Sequence, residues 1–372
     1  MNEIYIGLMS GTSLDGVDGV LVDFGPQDGG RPLQVLAHAA LPFEAGFRAE
    51  LLALNTPGPD ELHRAALAGN RLARAYAQVV GELLACTGID RAQVRAIGAH
   101  GQTVRHRPQE FDGTGYTIQL LQPALLAELT GIPVAADFRS RDVAAGGHGA
   151  PLAPAFHQAL FGAAREVAVL NIGGIANLTL LRPGQPTLGF DCGPGNVLMD
   201  LWCARHLGRP YDEDGRWAAG GQAVPSLLEA LLQEPWLALP PPKSTGRDLF
   251  NESWLEARLG AAPDTSPADV QATLCEFTAC AVVQHLQRHA PGVAELVVCG
   301  GGARNGHLMA RLAARLPGVQ VVDSGRRGLP PLQVEAAAFA WLARQRVLGA
   351  PGNLPAVTGA AGERVLGALH AA

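Results

Sequence analysis

Residues 4–24, IYIGLMSGTSLDGVDGVLVDF, decide the fold. An apolar run (4–9) enters a turn of hydroxyl, glycine and acidic residues and leaves it as a second run, 17–24, which alternates apolar residues with Asp18 and Asp23. Short apolar runs bounded by glycine read as a strand, glycine turn, strand unit. The form returns at 167–181, VAVLNIGGIANLTLL, with Gly173 and Gly174 at the turn. Such an echo implies two related domains, each opened by a hairpin. A third glycine turn, Gly300-Gly301-Gly302, follows the apolar run 296–299 and precedes a helix expected to begin near Asn305.

Leu62, Leu72, Tyr76, Val79 and Leu83 recur at helical spacing and predict a helix over 60–86, with Asp60 as its cap. Strands are expected at 94–99, 116–120 and 133–136, interleaved with a helix opened by Pro123. This alternation places the chain in the α/β class. Ala336, Ala337, Ala338 and Ala340 give the helix from Pro331 onward a small-residue face, and Ala155 with Ala159 gives an earlier helix a matching one. The two helices are expected to pack together at a hinge. The expected domains are 1–163 and 164–372, with the last residues able to pack back on the first.

The chain has 372 residues, 48% apolar and 17% charged, enough to bury a sizeable core and too apolar for a disordered chain or a coiled coil. Its 28 basic and 34 acidic side chains leave −6, so there is no global electrostatic attraction to nucleic acid or to an anionic membrane. No stretch reads as a membrane span. The expected partner is a small molecule, and a homodimer stays open. Six cysteines without a CxxC spacing, and no signal peptide, point to a reduced, cytoplasmic protein. Lys243 is the only lysine, so any site that needs an ammonium has one candidate.

Three glycine turns at strand ends, two flanked by hydroxyl or amide side chains, are what phosphate recognition by backbone N–H groups requires. Glycine also serves any tight turn; it is the three together that favour a nucleotide. A P-loop is excluded because Pro242, not glycine, precedes Lys243, and no GxGxxG occurs. Phosphates would then be held by turn N–H groups, hydroxyls and Mg²⁺, with Asp15 or Asp18 as the nearest carboxylate to the metal, through water. Gly11-Thr12-Ser13-Leu14-Asp15 lacks the last glycine of a hydrolase elbow, and His285 with His289 lacks the glutamate of a zinc protease, so a solvated helix face accounts for that pair.

The segment Gly189-Phe190-Asp191-Cys192-Gly193-Pro194-Gly195-Asn196 sets a carboxylate at a strand end, with Asn196 suited to cap the helix from Val197. Asp191 either stabilises its own turn or acts as a general base on a hydroxyl or water. His100-Gly101-Gln102-Thr103, and 137–142 with Arg139 and Arg141, read as polar loops at strand ends, where α/β folds gather ligands; Arg247 belongs with them.

Together, 6–18 (IGLMSGTSLDGVD), 100–103, 137–151, 171–177 (NIGGIAN), 190–200 (FDCGPGNVLMD), 243–251 (KSTGRDLFN) and 299–305 (CGGGARN) resemble the anhydro-N-acetylmuramic acid kinases, over nearly the whole length. That family belongs to the sugar kinase, Hsp70 and actin superfamily. The resemblance implies two related actin-like, ribonuclease H-like α/β domains with a nucleotide cleft between them. It implies ATP held by Gly11, Thr12, Ser13, Leu14, Asp15, Gly16, Val17 and Asp18 of the first turn, by Gly173 and Gly174 of the second, and by Gly300, Gly301, Gly302 and Asn305 at the adenosine. It implies conversion of 1,6-anhydro-N-acetylmuramic acid, with ATP and water, to N-acetylmuramic acid 6-phosphate. Asp191 would deprotonate the attacking water, Glu335 would orient the sugar, and His100, Gln102, Thr103, Arg139 and Asn196 would bind it. His148 stands where the family pattern leads us to expect Gln, and Asp248 where we expect Glu. An ordinary hexose or amino-sugar kinase, and an actin-like ATPase module, are the competing classes.

Overall fold

The computed structural model describes residues 3–25, 33–246 and 248–372, so Arg247 lies outside the described residues. The chain divides into two compact units, Met1–Leu160 with Gln333–Ala372, and Phe161–Leu332.

In the first unit β1 (Ile4–Ser10), β2 (Gly16–Asp23) and β3 (Gln34–Pro42) form an antiparallel meander. On the other side of β1 lie β4 (Val94–Pro108) and then β6 (Val134–Ala136), both parallel to their neighbour. The strand β5 (Gly115–Leu120) pairs with the far half of β4, and Ala368–His370 closes the sheet beyond β6. β1 is apolar along almost its whole length because helices cover both of its faces, as in a parallel sheet. The helix Glu61–Thr87 buries Leu72, Tyr76, Val79 and Leu83 in one core, as their spacing predicts, but Leu62, in its first turn, is exposed. Asp60 sits at its N-cap position with φ +51° and makes no capping hydrogen bond, so this helix start has no side-chain cap from that residue.

The helix Val334–Leu348 lies directly on β1 and β4. A Cβ on Gly7 would stand 1.9 Å from the carbonyl oxygen of Ala336, and one on Gly98 1.9 Å from that of Phe339. The alanine face is therefore used for helix-on-sheet packing, where two glycines let backbones meet. The earlier helix, Ala153–Phe161, touches it through larger rings, Phe156 and Trp341, with centroids 6.2 Å apart.

In the second unit β7 (Val167–Ile172), β8 (Ile175–Leu181) and β9 (Leu188–Pro194) form the meander, and β10 (Glu295–Cys299) and β11 (Gln320–Asp323) continue in parallel from β7. The order β9-β8-β7-β10-β11 repeats β3-β2-β1-β4-β6 in sequence and direction. The two units thus share the ribonuclease H-like, actin-like sheet, and the echo in the sequence is an echo of topology. The helix Pro267–His289 runs through the second core, buried on nearly all sides. His285 and His289 do not form a solvated face. His285 is buried, donates from Nδ1 to the Ala281 carbonyl at 2.7 Å, and both rings pack on Phe190.

Candidate functional site

In the first unit the turn after β1 is drawn tight by a Leu14 N–H to Gly11 carbonyl bond of 3.2 Å. Leu14 has φ +59°, a left-handed conformation that costs a leucine on the order of 1–2 kcal/mol, and its side chain is anchored in the core. Val17 also points inward. Leu14 and Val17 therefore offer a ligand only their backbone, whereas Thr12, Asp15 and Asp18 are exposed. Asp15 lies 3.7 Å from Arg48, and Asp18 3.3 Å from His38.

His100–Thr103 is not a loop, because β4 runs through it to Pro108. Gln102 is fully buried; it accepts from the Ser10 hydroxyl and donates to the Gly11 carbonyl at 3.1 Å, so it braces the turn. Thr103 accepts from Gln119 at 3.2 Å. His100 is buried, and its Nδ1 donates to the Ser10 carbonyl at 3.0 Å while Nε2 accepts from Arg139 Nη2 at 2.9 Å. Burial first and the guanidinium second push its pKa down to about 3, so the ring is neutral. Arg139 donates again to the Gly149 carbonyl at 2.8 Å, and burial lowers its pKa to about 10 against the opposing charges of Glu335 and Asp142. Asp142, fully buried, accepts from Gly149 N–H, Asn353 and Thr358 at 2.8, 2.7 and 2.8 Å. Glu335 is exposed in the first turn of its helix, within electrostatic reach of Arg139. His148 is exposed, and its backbone N–H donates to the Thr358 carbonyl at 2.7 Å.

In the second unit Asp191 lies within β9, beside a register shift opposite Asn177. Its own N–H donates to the Lys243 carbonyl at 3.1 Å, and its Oδ2 accepts the Thr245 N–H at 2.9 Å. Burial raises its pKa to about 6, opposed by the Thr245 hydrogen bond and the Lys243 charge. A carboxylate with that value is mostly ionised at neutral pH and basic enough to take a proton.

Asn196 occupies the N-cap position of the helix Val197–Leu207, but its backbone is already helical and it makes no capping bond. Instead its Nδ2 donates to the Ile172 carbonyl at 3.3 Å, and the N–H groups of Gly195 and Asn196 donate to the carbonyls of Gly174 and Gly173, each at 2.8 Å. The glycine turn and this helix start are thus one assembly. Gly300 packs against it from the other side: at φ +78°, a Cβ there would meet Asn171 Oδ1 at 2.4 Å. Gly301 is different, since its would-be Cβ meets only Asn196 Nδ2, at 3.6 Å, and it lines a cavity of about 680 Å³ with Asn196, Asp212, Asp214, Arg304 and Asn305. Asn305 caps the helix Gly306–Arg315 through a 2.9 Å bond from Leu308 N–H, as its position in the sequence predicts.

This cavity is of the size and mixed polarity that a nucleoside needs. Asp212, Asp214 and Arg304 carry no sequence signal for such a role; they reach it through the fold around Gly301. Among the described residues no group of three or more His, Cys, Asp or Glu side chains gathers to hold a metal. Magnesium fits the residues of this chain as an ion carried by phosphate oxygens and water, with Asp15 and Asp18 as exposed carboxylates on the first turn of the first unit. Among the described residues no helix is long and apolar enough to cross a membrane.

The family described as anhydro-N-acetylmuramic acid kinase matches residues 3–372. An anhydro-N-acetylmuramic acid kinase of Variovorax paradoxus is 63% identical over 376 aligned residues, covering 100% of this chain and 99% of that protein. Those of Albidiferax ferrireducens and Bordetella petrii are 57% and 60% identical, covering 100% of this chain in each case and 100% and 97% of theirs. With whole-length matches of this kind around the two glycine turns, the Asp191 strand and the Gly301 cavity, the chain belongs to the anhydro-N-acetylmuramic acid kinase family.

Proposed function

We propose that the protein converts 1,6-anhydro-N-acetylmuramic acid, ATP and water to N-acetylmuramic acid 6-phosphate and ADP, a step of peptidoglycan recycling. The observation that carries the proposal is Asp191: a half-buried carboxylate, held by one backbone N–H and poised near pH 6, in the segment that joins a glycine turn to a helix start. Asp191 takes a proton from the water that attacks the anomeric carbon. The bond from that carbon to O6 breaks, and O6 attacks the γ-phosphorus as ADP leaves. Phosphoryl transfer asks the protein mainly for alignment and charge neutralisation.

Backbone N–H groups of 11–18 other than that of Leu14, which Gly11 takes, and those of Gly173 and Gly174 face the phosphates, and the cavity at Gly301 takes the nucleoside. Magnesium, when bound with ATP, neutralises phosphate charge, and Asp15 reaches it through water. Arg139, aimed by His100 and Gly149, meets polar groups of the sugar together with Glu335 and Thr103. Gln102 supports this half from beneath, through the turn. The place of action is the cytoplasm, where ATP is available, and gel filtration tests for the homodimer.

The test is ADP release from Mg·ATP with the anhydro sugar, run beside N-acetylmuramic acid, glucose and no sugar. Release that depends on the anhydro sugar, with ¹⁸O from labelled water at the anomeric carbon of a reducing 6-phosphate, is the expected result. Release only with reducing sugars would replace this proposal with an ordinary sugar kinase, and release indifferent to sugar with an ATPase.

A further inference from the structure

Three backbone and side-chain links converge on the segment that flanks Asp191. The carbonyl of Lys243 accepts the Asp191 N–H, so residue 243 adds one rung to the free edge of β9. Two residues on, the Thr245 N–H binds the Asp191 carboxylate itself. Between them the Ser244 carbonyl accepts from the indole N–H of Trp236 at 3.2 Å. The same Trp236 holds the lysine: Nζ stands 4.2 Å from the centre of its ring and donates to the carbonyls of Trp236 and Leu237 at 3.2 and 3.0 Å. Trp236 is fixed in turn, its own N–H donating to Glu234 at 3.2 Å. The only lysine of the chain is thereby immobilised beside the base, on a ring and two carbonyls, none of which neutralises its charge.

We propose that Lys243 is a positioning residue for Asp191: pinned on Trp236, the segment 243–245 fixes the carboxylate through the Thr245 N–H and holds an ammonium charge within electrostatic reach of it. The inference deepens the assignment of Asp191 as base and rests on it.

The physical consequence is reciprocal. The ammonium favours the ionised form of Asp191, and the carboxylate favours the charged form of Lys243, by the same free energy. The charge pattern around the pair agrees. Burial lowers Lys243 to about 8, with Asp191 and Cys192 opposing that shift and Arg288 adding to it. The other titratable groups facing Lys243 are His285 and His289 on the helix Pro267–His289; burial lowers both. His285 is lowered to about 4, so it stays neutral through the working range. Among the described residues Asp191 is the carboxylate that faces Lys243, with its pKa raised by burial to about 6.

Because the chain has a single lysine, protein labelled with ε-¹³C-lysine gives one side-chain signal, and its titration reads Lys243 directly. The expected result is a midpoint near 8 in the native protein and a lower one in Asp191→Asn, whose amide oxygen still accepts the Thr245 N–H but carries no charge. Equal midpoints in the two proteins would overturn the proposal. A second arm measures kcat/KM against pH. The acid limb is expected to move up by about half a unit or more in Lys243→Met and to stay in place in Lys243→Arg, whereas a merely structural role would change kcat or KM without moving that limb. If the lysine midpoint falls in Asp191→Asn but the acid limb follows neither variant, the pairing stands and Asp191 is not the base.

Discussion

Arg139 Nη2 donates to Nε2 of His100 across 2.9 Å, and Nδ1 of that ring gives its proton to the Ser10 carbonyl at 3.0 Å. A guanidinium has no acceptor, so the tautomer is settled by the partners: Nε2 carries the lone pair and the ring is neutral. The backbone of the first turn, the histidine and the arginine are in this way one polar chain, continued through Gly149, whose carbonyl accepts from Arg139 and whose N–H donates to the buried Asp142.

Replacing His100 by Gln keeps a donor and an acceptor but removes the titration. In the native protein His100 is held near 3, below its unfolded value of about 6.5, so unfolding takes up a proton between those values and stability falls as pH falls through that window. His100→Gln is expected to lower the slope of unfolding free energy against pH by about 1.4 kcal/mol per pH unit below pH 6. Urea denaturation at pH 7, 6, 5 and 4 measures it, and an unchanged slope would contradict a neutral buried ring.

Asp191→Asn is expected to reduce kcat by roughly 10²–10⁴-fold, the range for a general base, while sugar affinity changes little. In the native enzyme the ionised carboxylate is the active form, so kcat/KM should rise with pH and level off above about 6. Activity of the variant within a few-fold of native would remove Asp191 from the proton transfer.

Asp142→Ala leaves the Gly149 N–H, Asn353 and Thr358 without their shared acceptor in a fully buried place. Such a loss costs about 3 kcal/mol or more. Since the Gly149 carbonyl also aims Arg139, KM for the sugar should rise together with the drop in thermal stability. Calorimetry and sugar titration of the same variant test both halves.

Two glycine substitutions should act in opposite directions. Gly98→Ala places a methyl group 1.9 Å from the Phe339 carbonyl oxygen, a backbone atom that cannot move aside, and is expected to cost about 3 kcal/mol. Gly81→Ala, on the exposed side of the helix Glu61–Thr87 with nothing within 4 Å, should stabilise by about 1 kcal/mol through helix propensity alone. A chemical-denaturation series compares them directly.

Much of this fold is legible in the sequence by itself, because a strand or a turn is a local event. Apolar runs bounded by glycine place β7 and β8 at the residues where they occur, and the repeated hairpin announces two related units. The glycine turns, Asp191 and Asn305 are visible for the same reason. What only the tertiary structure decides is who meets whom. His100 and Arg139 are separated by a strand pair and a helix before they share a proton, and Trp236 finds Lys243 across a turn of prolines. Neither pairing leaves a periodic trace in the chain. The alanines of 336–340 read as a face for another helix, and the structure lays them on a sheet as well, because Gly7 and Gly98 let the backbones of strand and helix meet. His285 and His289 read as solvated, yet they pack on Phe190, because helical spacing says which residues share a face but not whether that face is covered. Backbone preference is set within a few residues of sequence, whereas burial, charge and hydrogen-bond partners are set by contacts that exist only once distant segments are brought together.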